Sequence, residues 1–143
     1  MSLNFIKIDQ ENKNLIEEFL KTAGKSLDTF RYFKTRDISV VEKHRVTVVA
    51  QKNNVTIGYG HLDEDSGKVW LGIAVAYDQI GKGYGAEILD LLLLTSLEMK
   101  IKEIFLSVDR SNQKAINLYR KNGFVDYMED SDILYFKRLN ILK

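Results

Sequence analysis

The stretch Gly81-Lys82-Gly83-Tyr84-Gly85-Ala86 follows the apolar run Leu71-Gly72-Ile73-Ala74-Val75 and precedes a leucine-rich segment, residues 86–99, that contains no Gly or Pro. This order predicts a strand, a glycine loop and a largely buried helix. The glycines lack Cβ atoms, so a ligand can lie against the main chain. The first turn of the helix points unpaired N–H groups and the positive end of its dipole at the loop. We therefore expect an anion such as a phosphate group at this place.

A glycine cluster alone is a weak motif, and these glycines could form only a tight turn and a helix entry. Two common nucleotide motifs fit poorly. A P-loop requires Ser or Thr after its lysine, whereas Lys82 is followed by Gly83. A dinucleotide fingerprint has the spacing Gly-x-Gly-x-x-Gly after an early strand, whereas this chain has Gly-x-Gly-x-Gly in its middle.

The composition narrows the classes of function. A length of 143 residues predicts a single domain, residues 1–143, with a sizeable core. The 21 basic and 20 acidic side chains give a net charge of +1, so we expect neither a nucleic-acid nor a membrane partner. The absence of Cys excludes disulfides and thiolate nucleophiles, and two histidines without metal-pair spacing predict no metal. No long apolar run or leader pattern is present, which predicts a cytoplasmic protein.

Hydrophobic periodicity predicts alternating elements along the chain. We expect a first strand at residues 4–8, a helix from 9 to 23, a helical restart at 26, an antiparallel meander at 45–50, 55–62 and 68–75, a strand at 103–108, a helix at 112–122 and a final hairpin at 124–127 and 133–137. The strand at 103–108 follows the long helix, so it should lie parallel to the strand before the glycine loop. Ligands bind outside the carboxyl ends of such strands.

The pattern Asn112-x-x-Ala115-x-x-Leu118-Tyr119-x-x-x-Gly123-Phe124 follows the glycine loop. Together the two motifs resemble the GNAT superfamily of acetyl-CoA-dependent N-acetyltransferases over about residues 71–124. The resemblance implies an α+β fold with a central, mostly antiparallel sheet of six to seven strands. One parallel pair of strands is splayed around the cofactor, and about four helices flank the sheet.

The resemblance also assigns roles to residues. The coenzyme A pyrophosphate would be cradled by the N–H groups of Gly81, Lys82, Gly83, Tyr84, Gly85 and Ala86. The pantetheine arm would pair like an extra strand with Ile73, Ala74 and Val75, because its amides are peptide-like. Asn112 would contact the cofactor arm, and it could also cap the following helix. Tyr119 would return a proton to the departing thiolate, the alternative being an ordinary core tyrosine.

Two positions depart from the family's pattern. Ile80 stands where members often carry Arg or Gln, which puts one phosphate contact in doubt. Ser107 stands where some members carry a glutamate general base. The base therefore stays open among Glu42, His44, His61, Asp63, Glu64, Asp109 and a water chain. We take His61 and Asp63 as first candidates because they end a strand beside the expected gap.

The segment from Phe30 to Arg36 contains three aromatic side chains and three cations. It predicts either amphipathic packing with solvated cations or a pocket wall in which Phe30, Arg31 and Arg36 bind an anionic or sugar-like substrate. The expected function is transfer of the acetyl group of acetyl-CoA to a primary amine of a small molecule, such as an amino sugar or sugar nucleotide. The alternatives are a peptide or protein N-acetyltransferase and a non-catalytic acyl-CoA-binding module. We expect a monomer or homodimer.

Overall fold

The computed structural model describes residues 3–140. These residues form one seven-stranded sheet in the order β1-β2-β3-β4-β5-β7-β6. The strands are β1 (Asn4–Lys7), β2 (Val46–Lys52), β3 (Val55–Asp65), β4 (Lys68–Val75), β5 (Glu103–Asp109), β6 (Val125–Glu129) and β7 (Ile133–Leu139).

Tight turns set the antiparallel pairing of the first half of the sheet. Asn53 and Asn54 have φ of 52° and 65° in the β2–β3 turn, a left-handed conformation that asparagine tolerates well. Ser66 and Gly67, with φ of 55° and 80°, make the β3–β4 turn. The register places Asp63 opposite Trp70 on β4.

The sheet opens between β4 and β5. These two strands are parallel, and a single register pair, Trp70 with Phe105, joins them. Beyond Trp70 the strands diverge, and no further pairs link residues 71–75 to β5 in the described chain. By contrast, β5 pairs with β7 along its whole length, from Glu103 to Asp109. The fold thus contains a gap at the carboxyl ends of its only parallel strands within residues 3–140.

Helices cover both faces of the sheet. They are α1 (Asn14–Thr22), α2 (Tyr84–Glu98) and α3 (Gln113–Lys121), with short 3-10 helices at Gly24–Asp28, Tyr32–Lys34, Ile38–Lys43 and Tyr77–Gln79. The larger core packs α2 and α3 against the sheet through residues such as Ile88, Leu92 and Phe136. A smaller core packs α1 against β2 and β3 through Phe19 and Tyr59.

The first third of the chain differs in detail from the expectation. The helix expected from residue 9 begins at Asn14, because the Asp9 carboxylate accepts hydrogen bonds from the N–H groups of Glu11 and Asn12 and forms a turn. The restart at Ser26 forms 3-10 helices and not an α-helix. Ser26 Oγ donates to the carbonyl of Val75 at 2.6 Å, so a tertiary contact fixes this segment.

The expected fold class is confirmed: an α+β fold with a mostly antiparallel sheet, one parallel pair and flanking helices. The glycine loop, the long helix, the second motif helix and the final hairpin all lie where the sequence predicted them. No helix among residues 3–140 combines the length and apolarity needed to cross a membrane.

Candidate functional site

A cavity of about 620 Å³ lies where β4 and β5 diverge. Its wall comes from five parts of the chain: the segment after α1, β3 and β4, the end of β5, α3, and β7. Residues that line it include Phe30, Arg31, Tyr32, Arg36, His61, Asp63, Trp70, Ile73, Ser107, Asp109, Asn112, Tyr119 and Tyr135. The cavity thus brings together candidates from the second motif, from β4 and from the aromatic and cationic segment, whereas residues 81–86 of the glycine loop do not line it.

The glycine loop presents a row of unpaired donors. Gly81 and Gly83 have φ of 90° and 84°, and Gly83 is the N-cap of α2. Within the described chain, no hydrogen bond is donated by the N–H groups of residues 81–86. A Cβ added at Gly81 or Gly83 meets no atom within 4 Å, so the space over the loop is open. Six free donors at the positive end of a helix of 15 residues fit a pyrophosphate.

The free edge of β4 faces the gap. The N–H of Ala76 donates to the carbonyl of Ile57, so even-numbered residues of β4 bond to β3 and odd-numbered ones point toward β5. Ile73 and Val75 therefore direct their N–H groups into the gap. Ala74 faces β3 with its main chain, and its side chain lies in the core beside α1. An extended amide-containing chain can pair with this edge.

The helix α3 contributes two cavity-lining residues. The Asn112 side chain accepts a hydrogen bond from the N–H of Ala115 at 3.3 Å and so caps the helix. Tyr119 is 6% exposed, and its ring packs edge-on against Phe124 with centroids 5.7 Å apart. Burial raises the pKa of the Tyr119 hydroxyl, so it stays protonated at neutral pH. This hydroxyl makes no hydrogen bond to another residue of the described chain, yet it is not a buried unpaired atom, so it is open to the cavity.

The opposite end of the cavity contains a cluster of aromatic and titratable side chains. Tyr32 Oη donates to Asp63 Oδ2 at 2.8 Å and lies 2.6 Å from Nε2 of His44. His61 is 3% exposed and its Nδ1 is 2.6 Å from the hydroxyl of Tyr59. Burial, with smaller contributions from His44 and Arg36, lowers the pKa of His61 well below its usual value. His61 is therefore neutral, and Asp63 offers an oxygen to the cavity.

The three residues proposed to bind substrate have other partners. Arg31 makes a two-pronged ion pair with Asp109, with Nη2–Oδ1 at 2.7 Å and Nη1–Oδ2 at 3.0 Å. Arg36 lies over the Tyr32 ring, with Cζ 4.3 Å from the centroid, and donates to the Tyr32 carbonyl. The Phe30 ring packs on Tyr59 at 5.4 Å. All three line the cavity, but the segment uses them to pack and to hold its own position.

Sequence reasoning missed Tyr32 as a member of the site. It noted the aromatic residues of the segment, but the partners of Tyr32 stand 12 and 31 residues away, at no regular spacing. Trp70 and Tyr135 were missed as well, because each lies on a strand whose orientation only the sheet register defines. Ser107, which replaces the glutamate of some relatives, is exposed at the cavity wall. Residues 3–140 contain no group of three or more His, Asp or Glu side chains placed to hold a metal ion.

The sequence model of the acetyltransferase (GNAT) family matches residues 12–124. No curated protein matches the sequence significantly.

Solved structures share the fold at low sequence identity. PaiA N-acetyltransferase from Thermoplasma acidophilum, in complex with coenzyme A, is 18% identical with a TM-score of 0.77, covering 98% of this chain and 100% of that one. YncA from Salmonella typhimurium, solved with its cofactor acetyl-CoA, is 17% identical with a TM-score of 0.78, covering 97% and 94%. The ribosomal-protein-S18-alanine N-acetyltransferase from Escherichia coli is 16% identical with a TM-score of 0.75, covering 96% and 94%.

Proposed function

The chain belongs to the acetyltransferase (GNAT) family, and we propose that it moves the acetyl group of acetyl-CoA directly to a primary amine of a small molecule. The observation that carries this proposal is the cavity itself. It joins the edge of β4 at Ile73 to the free hydroxyl of Tyr119, and the glycine loop follows the carboxyl end of the same strand.

The cofactor would lie along a path of unpaired donors. The N–H groups of residues 81–86 would hold its pyrophosphate, and the N–H of Val75, nearest the loop on β4, would bond an amide of its arm. Asn112 would contact the arm while it caps α3. Lys82 donates to the side chain of Gln79 at 3.1 Å, and Ile80 is 41% exposed, so binding at the loop would depend mainly on the backbone.

Acetyl-CoA supplies an activated thioester, and the protein must manage charge and protons around it. The N–H of Ile73, the next one along the free edge of β4, would stabilise the negative charge that develops on the thioester carbonyl oxygen. Tyr119 would donate its proton to the leaving sulfur, which its raised pKa allows across the neutral range. The acceptor amine has a pKa of about 10.4, so it arrives as an ammonium and must lose a proton before attack. His61 and Asp63 are the candidate bases on the cavity wall.

The cavity wall supports a small acceptor. Residues 29–36 lie over the acceptor end, and the Arg31–Asp109 ion pair holds them to the end of β5. With Arg31 and Arg36 already paired or stacked, an anionic sugar or nucleotide is one candidate among small amines. The similar structure from Escherichia coli is named for a protein acceptor, so peptides belong in the same test.

The test measures release of free thiol from acetyl-CoA in the presence of a panel of small amines and N-terminal peptides. We expect turnover with a small primary amine and little with peptides. Coenzyme A should raise the melting temperature of the protein, since a ligand that binds only the folded state stabilises it. No thermal shift with coenzyme A would contradict the cofactor site. A shift without turnover on any amine would favour a non-catalytic acyl-CoA-binding module.

A further inference from the structure

A chain of hydrogen bonds lies at the acceptor end of the cavity, and it includes Asp63, one of the two candidate bases. Tyr32 Oη contacts Asp63 Oδ2 at 2.8 Å and His44 Nε2 at 2.6 Å. Nδ1 of His44 lies 2.8 Å from Oγ1 of Thr47. These four side chains form a continuous chain of hydrogen bonds from Asp63 on the cavity wall to Thr47 on β2.

The protons in this chain can be assigned from the number of donors. A tyrosine hydroxyl has one proton, and Tyr32 donates it to the Asp63 carboxylate. The second short contact therefore needs a proton on Nε2 of His44, which donates to Tyr32 Oη. Nδ1 of His44 is then an acceptor for the Thr47 hydroxyl. Burial lowers the pKa of His44, which agrees with a neutral ring in this tautomer.

In this chain each side chain donates to the next, so that Tyr32 holds Oδ2 of Asp63 and Oδ1 of Asp63 stays free. Within the described chain, Oδ1 of Asp63 accepts no hydrogen bond, and its side chain is 19% exposed on the cavity wall. Titratable groups that face this carboxylate are Tyr32, His44 and Tyr59, and Arg36, His61 and Asp65 face Tyr32 or His44 in the same cluster. A carboxylate with one anchored and one open oxygen can receive a proton without moving.

His61 is less well placed for this task. Its Nδ1 is engaged with Tyr59, and its ring packs directly over Gly72, where an added Cβ would lie 2.5 Å from Nε2. The Tyr32 ring covers it from the other side, with centroids 4.4 Å apart. His61 therefore serves mainly as a wall of the cluster, and only its Nε2, which has no hydrogen-bond partner in the described chain, borders the cavity.

We propose that Asp63 accepts the proton of the acceptor ammonium and that Tyr32 and His44 are positioning residues that hold Asp63 for this step. The inference rests on the proposed acetyl transfer. The N–H bond of the ammonium breaks, and its proton bonds to Oδ1 of Asp63. The freed nitrogen lone pair forms a C–N bond at the thioester carbon, the C–S bond breaks, and the thiolate takes a proton from Tyr119. The acylated nitrogen still carries one extra proton, which it gives to the Tyr119 phenolate to leave the neutral amide. Asp63 returns the first proton to solvent.

The decisive measurement is the pH profile of kcat/KM for the amine. Asp63→Asn should lower it by about 10²-fold or more near pH 7, the usual contribution of a general base. The defect should shrink as pH rises, because the neutral amine increases about tenfold per pH unit below its pKa. For the same reason, a fluorinated alkylamine that is already neutral at pH 7 should show little difference between Asp63→Asn and the unchanged protein. Asp90→Asn, on the exposed face of α2, is the matched control.

The positioning role is tested with Tyr32→Phe, which keeps the ring contacts to Arg36 and His61 and removes only the hydroxyl. We expect kcat to fall about tenfold, with KM for acetyl-CoA unchanged and partial recovery at high pH or with the neutral amine. Tyr127→Phe, on the exposed strand β6, should have no effect. His44→Gln and Thr47→Val should lower kcat in the same pH-dependent way, by smaller factors.

The possible results distinguish a failure of the Asp63 inference from a failure of the proposed acetyl transfer. If the unchanged protein transfers acetyl groups and Asp63→Asn loses the same factor at every pH and with both amines, Asp63 is not the base and the inference is overturned. The same holds for the positioning role if Tyr32→Phe behaves like Tyr127→Phe. If the unchanged protein binds coenzyme A but acetylates no amine, the proposed function fails and the inference fails with it.

Discussion

Arg31 and Asp109 are joined by a two-pronged ion pair that connects the segment after α1 to the carboxyl end of β5, with the shorter contact at 2.7 Å. Arg31 also donates to the carbonyl of Asp28. Its guanidinium therefore contacts its own segment at Asp28 and the end of β5 at Asp109 at the same time. The acceptor end of the cavity is therefore closed by a side-chain contact between elements that are far apart in the sequence.

Removal of this contact should loosen the wall of the cavity more than it lowers global stability. Arg31→Ala is expected to cost only about 0.5–1 kcal/mol of unfolding free energy, because the Arg31 side chain is partly exposed. Hydrogen exchange in residues 29–43 should become faster, and KM for the amine should rise. Arg120→Ala, which breaks an ion pair on a more exposed surface, is the control and should change neither. An unchanged KM in Arg31→Ala would limit Arg31 to a role in packing.

The role of the glycine loop can be tested with two Gly→Ala variants that introduce similar backbone strain, one in the loop and one in a distant turn. Gly83→Ala places a Cβ at φ of 84° and should cost about 1 kcal/mol through backbone strain alone. Gly67→Ala in the β3–β4 turn has φ of 80° and equally open surroundings, so it should lose a similar amount. Coenzyme A affinity, measured by calorimetry, should fall only in Gly83→Ala. Equal affinity in both variants would contradict the position of the pyrophosphate.

Tyr119→Phe should lower kcat by about 10²-fold and leave the affinity for acetyl-CoA nearly unchanged. The ring keeps its contact with Phe124, so the melting temperature should change little. Because burial raises the pKa of this hydroxyl, kcat of the unchanged protein should not decline from pH 7 to pH 9.5. Turnover by Tyr119→Phe at the original rate would remove the acid role from Tyr119.

The buried histidine predicts a pH dependence of stability. The folded-state pKa of His61 is far below that of the unfolded chain, so the unfolded state binds an extra proton once the pH falls below about 6.5. The unfolding free energy should therefore be largest above that pH and should decrease on acidification by up to about 1.4 kcal/mol per pH unit. Urea unfolding at pH 7.5 and 5.5 measures this difference. His61→Gln should reduce the slope even if it lowers stability at both pH values.

The sequence predicted those parts of the fold whose cause is local. The glycines at 81, 83 and 85, the uninterrupted helix after them and the cap at Asn112 act within a few residues, so their structure follows from chain chemistry. The antiparallel strands follow from alternation and turn residues. The second motif added the expectation of a gap between β4 and β5, which the single pair of Trp70 with Phe105 confirms.

The acceptor end was not predictable in the same way. The 3-10 helices of residues 24–43 depend on distant contacts, such as those of Ser26 with Val75 and Tyr77 with Ala23. The sequence could name Asp63 and His61 as candidates, but not the hydroxyl of Tyr32 that anchors Asp63. Such an arrangement appears only when the sheet register and the overlying segment are known together.

The divergence of β4 from β5 divides the seven-stranded sheet into a part of four strands and a part of three, which are joined at the pair of Trp70 with Phe105. Beyond this junction, the main-chain polar groups of β4 and β5 face the gap and do not pair with each other. An inserted amide chain would bond to one strand and span toward the other. Ligand binding would then add main-chain hydrogen bonds across the gap between two parts of the sheet that the shared core already holds together.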